Sequence, residues 1–147
     1  MRIEIPKYRN SKMNTLFNIS EGATIALHCL AIIATSDEKY NVNRLADKTR
    51  FSKNHLAKIM NTLVKNGYLD SERGPKGGFT LKEDKAKSTL FEVLEIIDGK
   101  ISKFECTISC QDCYFENCLF GDQPGHFNAD FIHYLRSNTL SDFSLKH

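Results

Sequence analysis

Three glycines and a proline fill the five positions Gly74-Pro75-Lys76-Gly77-Gly78, and no other stretch of the chain restricts its fold so tightly. Neither a helix nor an unbroken strand tolerates that density of breakers, so the segment is a tight, exposed tip. Tyr68 to Arg73 before it and Phe79-Thr80-Leu81 after it have the composition of strands, which makes the whole a β-hairpin. Immediately upstream, Ser52 opens a helix whose apolar residues Leu56, Ile59, Met60, Leu63 and Val64 recur at helical spacing, and Gly67 stops it. A shorter helix fits Val42 to Lys48, capped by Asn41 or Asn43 with Leu45 and Ala46 facing inward, and only Thr49-Arg50-Phe51 separates the two. Two helices joined by a tight link and followed by a glycine-tipped hairpin, over Tyr40 to Leu81, form the element order of a winged helix-turn-helix.

The flanks supply scaffold. Ser20 is a plausible N-cap for a helix over Ala23 to Thr35 that is apolar on nearly every side, as a helix buried among others must be. Cys29 within it reads as core, and His28 as a locally satisfied helix histidine. Thr89-Leu90-Phe91-Glu92 is a capping box opening a fourth helix that Gly99 ends. A last helix from about Pro124 to Ser137 carries Phe127, Phe131, Tyr134 and Leu135 on one stripe, and a short segment, Thr139 to Phe143, follows it. The expected fold class is therefore mainly α with a small β-hairpin wing. Its expected parts are an N-terminal extension (1–12), a winged-helix domain (13–100), a cysteine-rich loop (101–125) and a dimerisation helix with its tail (126–147). The 147 residues suit one domain plus such an arm. No apolar run approaches the roughly 20 residues of a membrane helix, and the first ten residues lack the apolar core of a secretory signal, which together predict a cytoplasmic protein with no membrane partner.

Charge is concentrated where the winged helix is expected. From Asn41 to Lys82 nine Lys/Arg stand against three acids, whereas from Ile101 to His147 three stand against six. A basic segment in a chain of net charge +2 suits a phosphate-binding face, although charge alone equally describes a solvated surface. Element order decides between them. If the apolar stripe of the third helix packs inward, its other face presents Ser52, Lys53, Asn54, His55 and Lys58, residue types that read base edges or hold phosphates. The tip adds Arg73 and Lys76, and its lack of bulk allows close approach to a minor groove. The predicted partner is double-stranded DNA.

These residues also carry a resemblance. Ser52-Lys53-Asn54-His55-Leu56-Ala57-Lys58-Ile59, Leu63, Gly67-Tyr68-Leu69 and Arg73-Gly74-Pro75-Lys76-Gly77-Gly78-Phe79-Thr80-Leu81 are similar to the Rrf2 family of winged-helix transcription regulators, which includes IscR, NsrR and CymR. The resemblance runs from about Ile19 to Phe143, its most specific part is the wing, and the recognition helix is nearest the NsrR branch. It implies a homodimer that places one winged helix per subunit on a palindromic operator, with the last helix crossing to the partner.

Four of the five cysteines, in the pattern Cys106-x3-Cys110-x2-Cys113-x4-Cys118, lie in the stretch without periodicity. In a cytosolic chain such thiols are more often metal ligands than disulfides, and they select iron–sulfur clusters, zinc or copper(I). The resemblance implies an iron–sulfur cluster, 2Fe-2S or 4Fe-4S, on Cys106, Cys113 and Cys118, with Cys110 a fourth ligand or a spare thiol. The spacing departs from the family's roughly even one. Thr24 and Gly121 occupy the places where relatives supply a carboxylate or histidine ligand, so a complete four-cysteine site, which also suits zinc, is the alternative. Thiols acting by oxidation alone are a third reading. His126 and His133 on the last helix are further candidate ligands. An enzyme is not expected: Cys110-x2-Cys113 opens no helix of a βαβ unit, and no phosphate loop or His/Asp set accompanies it. A winged helix binding protein instead of DNA, with a structural zinc, is the other rival.

Overall fold

The computed structural model describes residues 18–101, 106, 108–109 and 111–143; the 1–12 extension and Cys110 lie outside them. Helix α1 (Glu21–Ala34) begins as soon as the Ser20 hydroxyl accepts the Ala23 amide at 3.0 Å, two residues before the start expected from the apolar pattern. Gly22, Ala23, Ile25, Ala26, Cys29, Leu30 and Ile33 are all buried. They point in several directions because α1 is the central post, in contact with helices α2 (Val42–Thr49), α3 (Lys53–Lys65) and α4 (Leu90–Asp98) and with strand β2 (Gly78–Leu81).

Local chemistry sets the boundaries of α2 and α3. Asn41, not Asn43, caps α2 by accepting the Arg44 amide at 2.9 Å. The helix ends at Arg50, the one non-glycine with positive φ (65°) among the described residues. Ser52 then caps α3 by accepting the His55 amide at 3.2 Å. Gly67, at φ 75°, closes α3 as its amide reaches Val64 O and that of Tyr68 reaches Leu63 O, the exchange of bonds typical of a left-handed helix stop. Leu56, Met60 and Leu63 are fully buried, so the inward stripe is the one the spacing predicts.

Strand β1 (Leu69–Glu72) pairs antiparallel with β2, Leu69 opposite Leu81 and Glu72 opposite Gly78. β1 is shorter than the expected Tyr68 to Arg73 and β2 one residue longer than Phe79 to Leu81, and a third segment extends the pairing: the Phe79 amide donates to Tyr40 O at 2.8 Å. The capping box at Thr89 and Glu92 opens α4 as expected.

Helix α5 (Gln123–Ser137) divides its stripe. Leu135 is buried and Phe131 packs on the core, whereas Phe127 and Tyr134 remain about half exposed at 52% and 48%. The short segment beyond, which has no periodicity to read, forms a 3-10 turn (Leu140–Asp142) that closes the core: Leu140 is fully buried, its amide donates to Ser88 O at 3.1 Å, and the Leu90 amide donates to Asn138 O at 3.0 Å. The amide and hydroxyl of Thr139 hold the Asp142 carboxyl below its ordinary range. Residues 135–142 thus share one core with α1 and α4.

Candidate nucleic-acid interface

With Leu56, Met60 and Leu63 packed inward, α3 turns Lys53, Asn54, Lys58, Asn61 and Lys65 to solvent. Asn61 shares the stripe of Asn54 and Lys58 at helical spacing, and sequence reasoning passed it over although the same spacing marks it. Lys53 and Asn54 sit in the first turn, where side chains project beyond the helix end. Ser52 is exposed but its hydroxyl oxygen is committed to the cap, leaving the O–H to donate. His55 leans the other way: its Nδ1 lies 3.5 Å from a Glu21 carboxylate oxygen on α1. Of the expected readers, Lys53, Asn54 and Lys58 face solvent, Ser52 is part cap, and His55 bridges to the scaffold.

The hairpin tip is exposed as well. Arg73, Gly74, Pro75 and Lys76 are exposed, and the Gly77 amide closes a four-residue turn onto Gly74 O at 2.9 Å. Glycine is required at two places for lack of room. A Cβ on Gly77 would sit 2.3 Å from Glu72 O, and one on Gly78 would sit 2.9 Å from Tyr40 O, both immovable backbone. The backbone of β1 leaves no room for a side chain at Gly77, and that of Tyr40 leaves none at Gly78.

Not every cation of the basic segment faces outward unopposed. Arg44 pairs with Glu38, Lys82 lies 3.6 Å from Asp70, and the Lys48 ammonium stands 5.8 Å from the Tyr40 ring centre. Among the described residues Arg50, Lys53, Lys58, Lys65, Arg73 and Lys76 have no ion-pair partner. Positive potential is therefore carried by the α2–α3 turn, the outer face of α3 and the wing tip.

The cysteines divide by environment. Cys29 is fully buried in α1, and burial pushes its thiol up to about 12. Cys106 and Cys118 are exposed, Cys113 half-buried, and all three are free thiols in the segment between α4 and α5. Among the described residues no group of three or more His, Cys, Asp or Glu is arranged to hold a metal. The Thr24 hydroxyl donates to Ser20 O at 3.0 Å, and His28 Nδ1 contacts Thr24 O at 2.7 Å, so both side chains have local partners. His126 and His133 are exposed on α5. Ile108, Tyr114, Phe115, Leu119 and Phe120 are also exposed, as are Phe127 and Tyr134 on α5. No helix among the described residues is long and apolar enough to cross a membrane.

The chain is similar to known proteins in sequence and in fold. The profile of the family described as Rrf2, iron-dependent transcriptional regulator, matches residues 19–145. An HTH-type transcriptional regulator of Aquifex aeolicus is 26% identical over 128 residues, which cover 84% of this chain and 88% of that protein. The HTH-type transcriptional regulator NsrR of Bacillus licheniformis is 34% identical over 83 residues, 55% of this chain and 58% of that protein, so this match spans little more than half of its length. Among solved structures, CymR, the global cysteine regulator of Bacillus subtilis, superposes with a TM-score of 0.69 at 22% identity, covering 86% of this chain and 95% of that one.

Proposed function

The chain belongs to the Rrf2 family of transcriptional regulators and is a DNA-binding protein, not an enzyme; we propose that a cytoplasmic homodimer of it reads a palindromic operator with α3 and the wing of each subunit. The observation that carries this reading is that Lys53 and Lys58 on α3 and Arg73 and Lys76 on the wing tip are exposed cations with no ion-pair partner among the described residues. Asn54 and Ser52 meet base edges at the helix N-terminus, Lys53 and Lys58 hold the flanking backbone, and the thin tip brings Arg73 and Lys76 to the adjacent minor groove. The exposed aromatic surface of α5 and the preceding segment is what a second subunit would cover. The test is an electrophoretic shift of a duplex from the gene's own upstream region: a shift that Asn54→Ala makes less sequence-selective supports the reading, and no shift at low salt refutes it.

In the same proposal Cys106, Cys113 and Cys118, with Cys110, hold an iron–sulfur cluster. Donor chemistry supports this: free thiols, two of them exposed, and no disulfide partner. A bound cluster would supply a centre that responds to redox state, nitric oxide or iron–sulfur supply. The chain's own part is mechanical, since the cysteine segment joins α4 to α5 and its order sets where α5 meets a partner subunit, hence the spacing of two recognition helices. Zinc is the second reading, favoured by one observation: Thr24 is engaged with Ser20 and Gly121 has no side chain, and a site of four thiolates, which would need neither, also suits zinc. The visible spectrum and metal content of anaerobically purified protein discriminate. A chromophore with iron and sulfide supports the cluster; colourless protein with stoichiometric zinc excludes it; colourless, metal-free protein leaves thiol oxidation. Operator affinity that differs between loaded and stripped protein supports a sensing role, and equal affinity removes it.

A further inference from the structure

Arg44 looks by composition like one more phosphate-binding cation, but its surroundings describe a different task. It stands in the first turn of α2, and its guanidinium grips three consecutive residues of the strap before that helix. Nη2 pairs with the Glu38 carboxylate, Nη1 donates to Lys39 O at 2.8 Å, and Cζ lies 4.9 Å from the centre of the Tyr40 ring. The strap in turn holds both strands of the wing. Tyr40 O accepts the Phe79 amide of β2 at 2.8 Å, and the Lys39 ammonium meets the Glu72 carboxylate at the end of β1 at 2.5 Å. Glu72 is next to Arg73, and Gly78 lies so close to Tyr40 O that no Cβ fits between them. The hairpin tip is thereby fastened from both edges to a three-residue segment that Arg44 itself pins to α2.

We infer that Arg44, with Glu38, is a positioning residue of the wing: it sets where Arg73 and Lys76 meet DNA without contacting DNA itself. This rests on the DNA-binding reading of the wing. The guanidinium's charge is opposed by Glu38, and its donors and flat face are turned to the strap. A surface ion pair alone stabilises little, but here it acts with a hydrogen bond and a ring contact on one short segment, and its effect appears as wing orientation.

The sign of one substitution separates positioning from simple charge. Glu38→Ala removes a negative charge near a basic face, so electrostatics alone predicts tighter DNA binding. Loss of the fastening predicts weaker binding. The experiment is fluorescence anisotropy of the full-length chain with a labelled duplex from its own upstream region, over a salt series, for wild type, Glu38→Ala, Arg44→Ala and Arg73→Ala. Hydroxyl-radical footprints of each complex and amide exchange at Phe79 in the DNA-free proteins accompany it. Glu38→Ala and Arg44→Ala are each expected to weaken binding about fivefold and to raise Phe79 exchange by a similar factor. Both should lose protection at the positions Arg73→Ala loses and show a shallower salt slope than wild type, Glu38→Ala included although it removes no cation. Arg73→Ala should lower the slope by roughly two per dimer.

Tighter or unchanged binding by Glu38→Ala overturns the inference, as does a Glu38→Ala footprint that keeps the protection Arg73→Ala loses. Unchanged Phe79 exchange in both variants refutes the fastening itself, whatever the DNA does. A wild-type footprint with no protection beside the wing refutes instead the DNA reading of the wing, so the two failures are distinguishable.

Discussion

The salt dependence of operator binding is the quantity on which this structure makes its most discriminating prediction. The basic segment holds nine Lys/Arg, and if each neutralised one phosphate per subunit a dimer would show a slope of log affinity against log salt of roughly −16. The structure reduces that number. Arg44 and Lys82 are paired with acids, Lys48 stands over Tyr40, Arg50 lies in the turn before α3, and Lys65 is at the end of α3 remote from its N-terminus. Lys53, Lys58, Arg73 and Lys76 remain, eight cations per dimer, for a slope of roughly −7 and an affinity loss on the order of 10,000-fold between 50 and 200 mM salt. Lys58→Ala, exposed and unpaired, should weaken binding to all sequences alike and bring the slope to roughly −5. Anisotropy titrations at four or more salt concentrations measure it. A wild-type slope shallower than about −3 would mean this face is not the phosphate-binding one. A slope steeper than about −13 would mean that the ion-paired cations of this segment release their acids to bind DNA, contradicting the assignment of Arg44.

Other substitutions test the scaffold beneath that surface. Gly77→Ala drives a Cβ to 2.3 Å from Glu72 O, so it should cost about 1–3 kcal/mol in urea denaturation and disturb amide shifts across the wing; a neutral variant would show that the turn is not as drawn. Arg50→Gly relieves a left-handed residue at the end of α2 and should stabilise by up to about 1 kcal/mol, while α3 helicity stays unchanged. Leu140→Ala should destabilise by about 2–5 kcal/mol, since this fully buried side chain closes the core; a loss under about 1 kcal/mol would make the C-terminal turn an appendage. Cys29 provides a pH test. Because burial raises its thiol from 9.0 to about 12, the folded state keeps the proton that the unfolded chain releases, so the thiol's contribution is intact below pH 9 and is lost as pH rises toward 12. The stability gap between wild type and Cys29→Ala should therefore narrow over that range, and native Cys29 should resist thiol reagents that modify Cys106 and Cys118 rapidly.

Local chemistry made much of the molecule legible before any contact was known. The N-caps Ser20, Ser52 and Thr89, the stops Gly67 and Gly99 and the inward stripe of α3 are decided within a few residues of chain, because a cap or a glycine acts on its own turn. The outward stripe follows as the complement of the inward one, which is why Lys53, Asn54 and Lys58 could be named as candidates and why Asn61 should have been. What sequence patterns could not show depends on residues distant along the chain. His55 has the type of a groove reader, but only packing places Glu21 beside it. Arg44 and Lys53 are equivalent as counted charges, and only the return of Glu38 to Tyr40 against the hairpin makes one a fastener and leaves the other exposed. Leu140 belongs to a segment too short for any periodicity, and it is core because Ser88 and Asn138 bring two remote backbones together. The sequence by itself thus determined the order of elements, the basic surface and the thiol donors, all properties of composition and near neighbours. Tertiary structure alone decided which cations stay unopposed, since a charge is neutralised by whatever the fold brings within a few ångströms of it and not by what lies beside it in the chain.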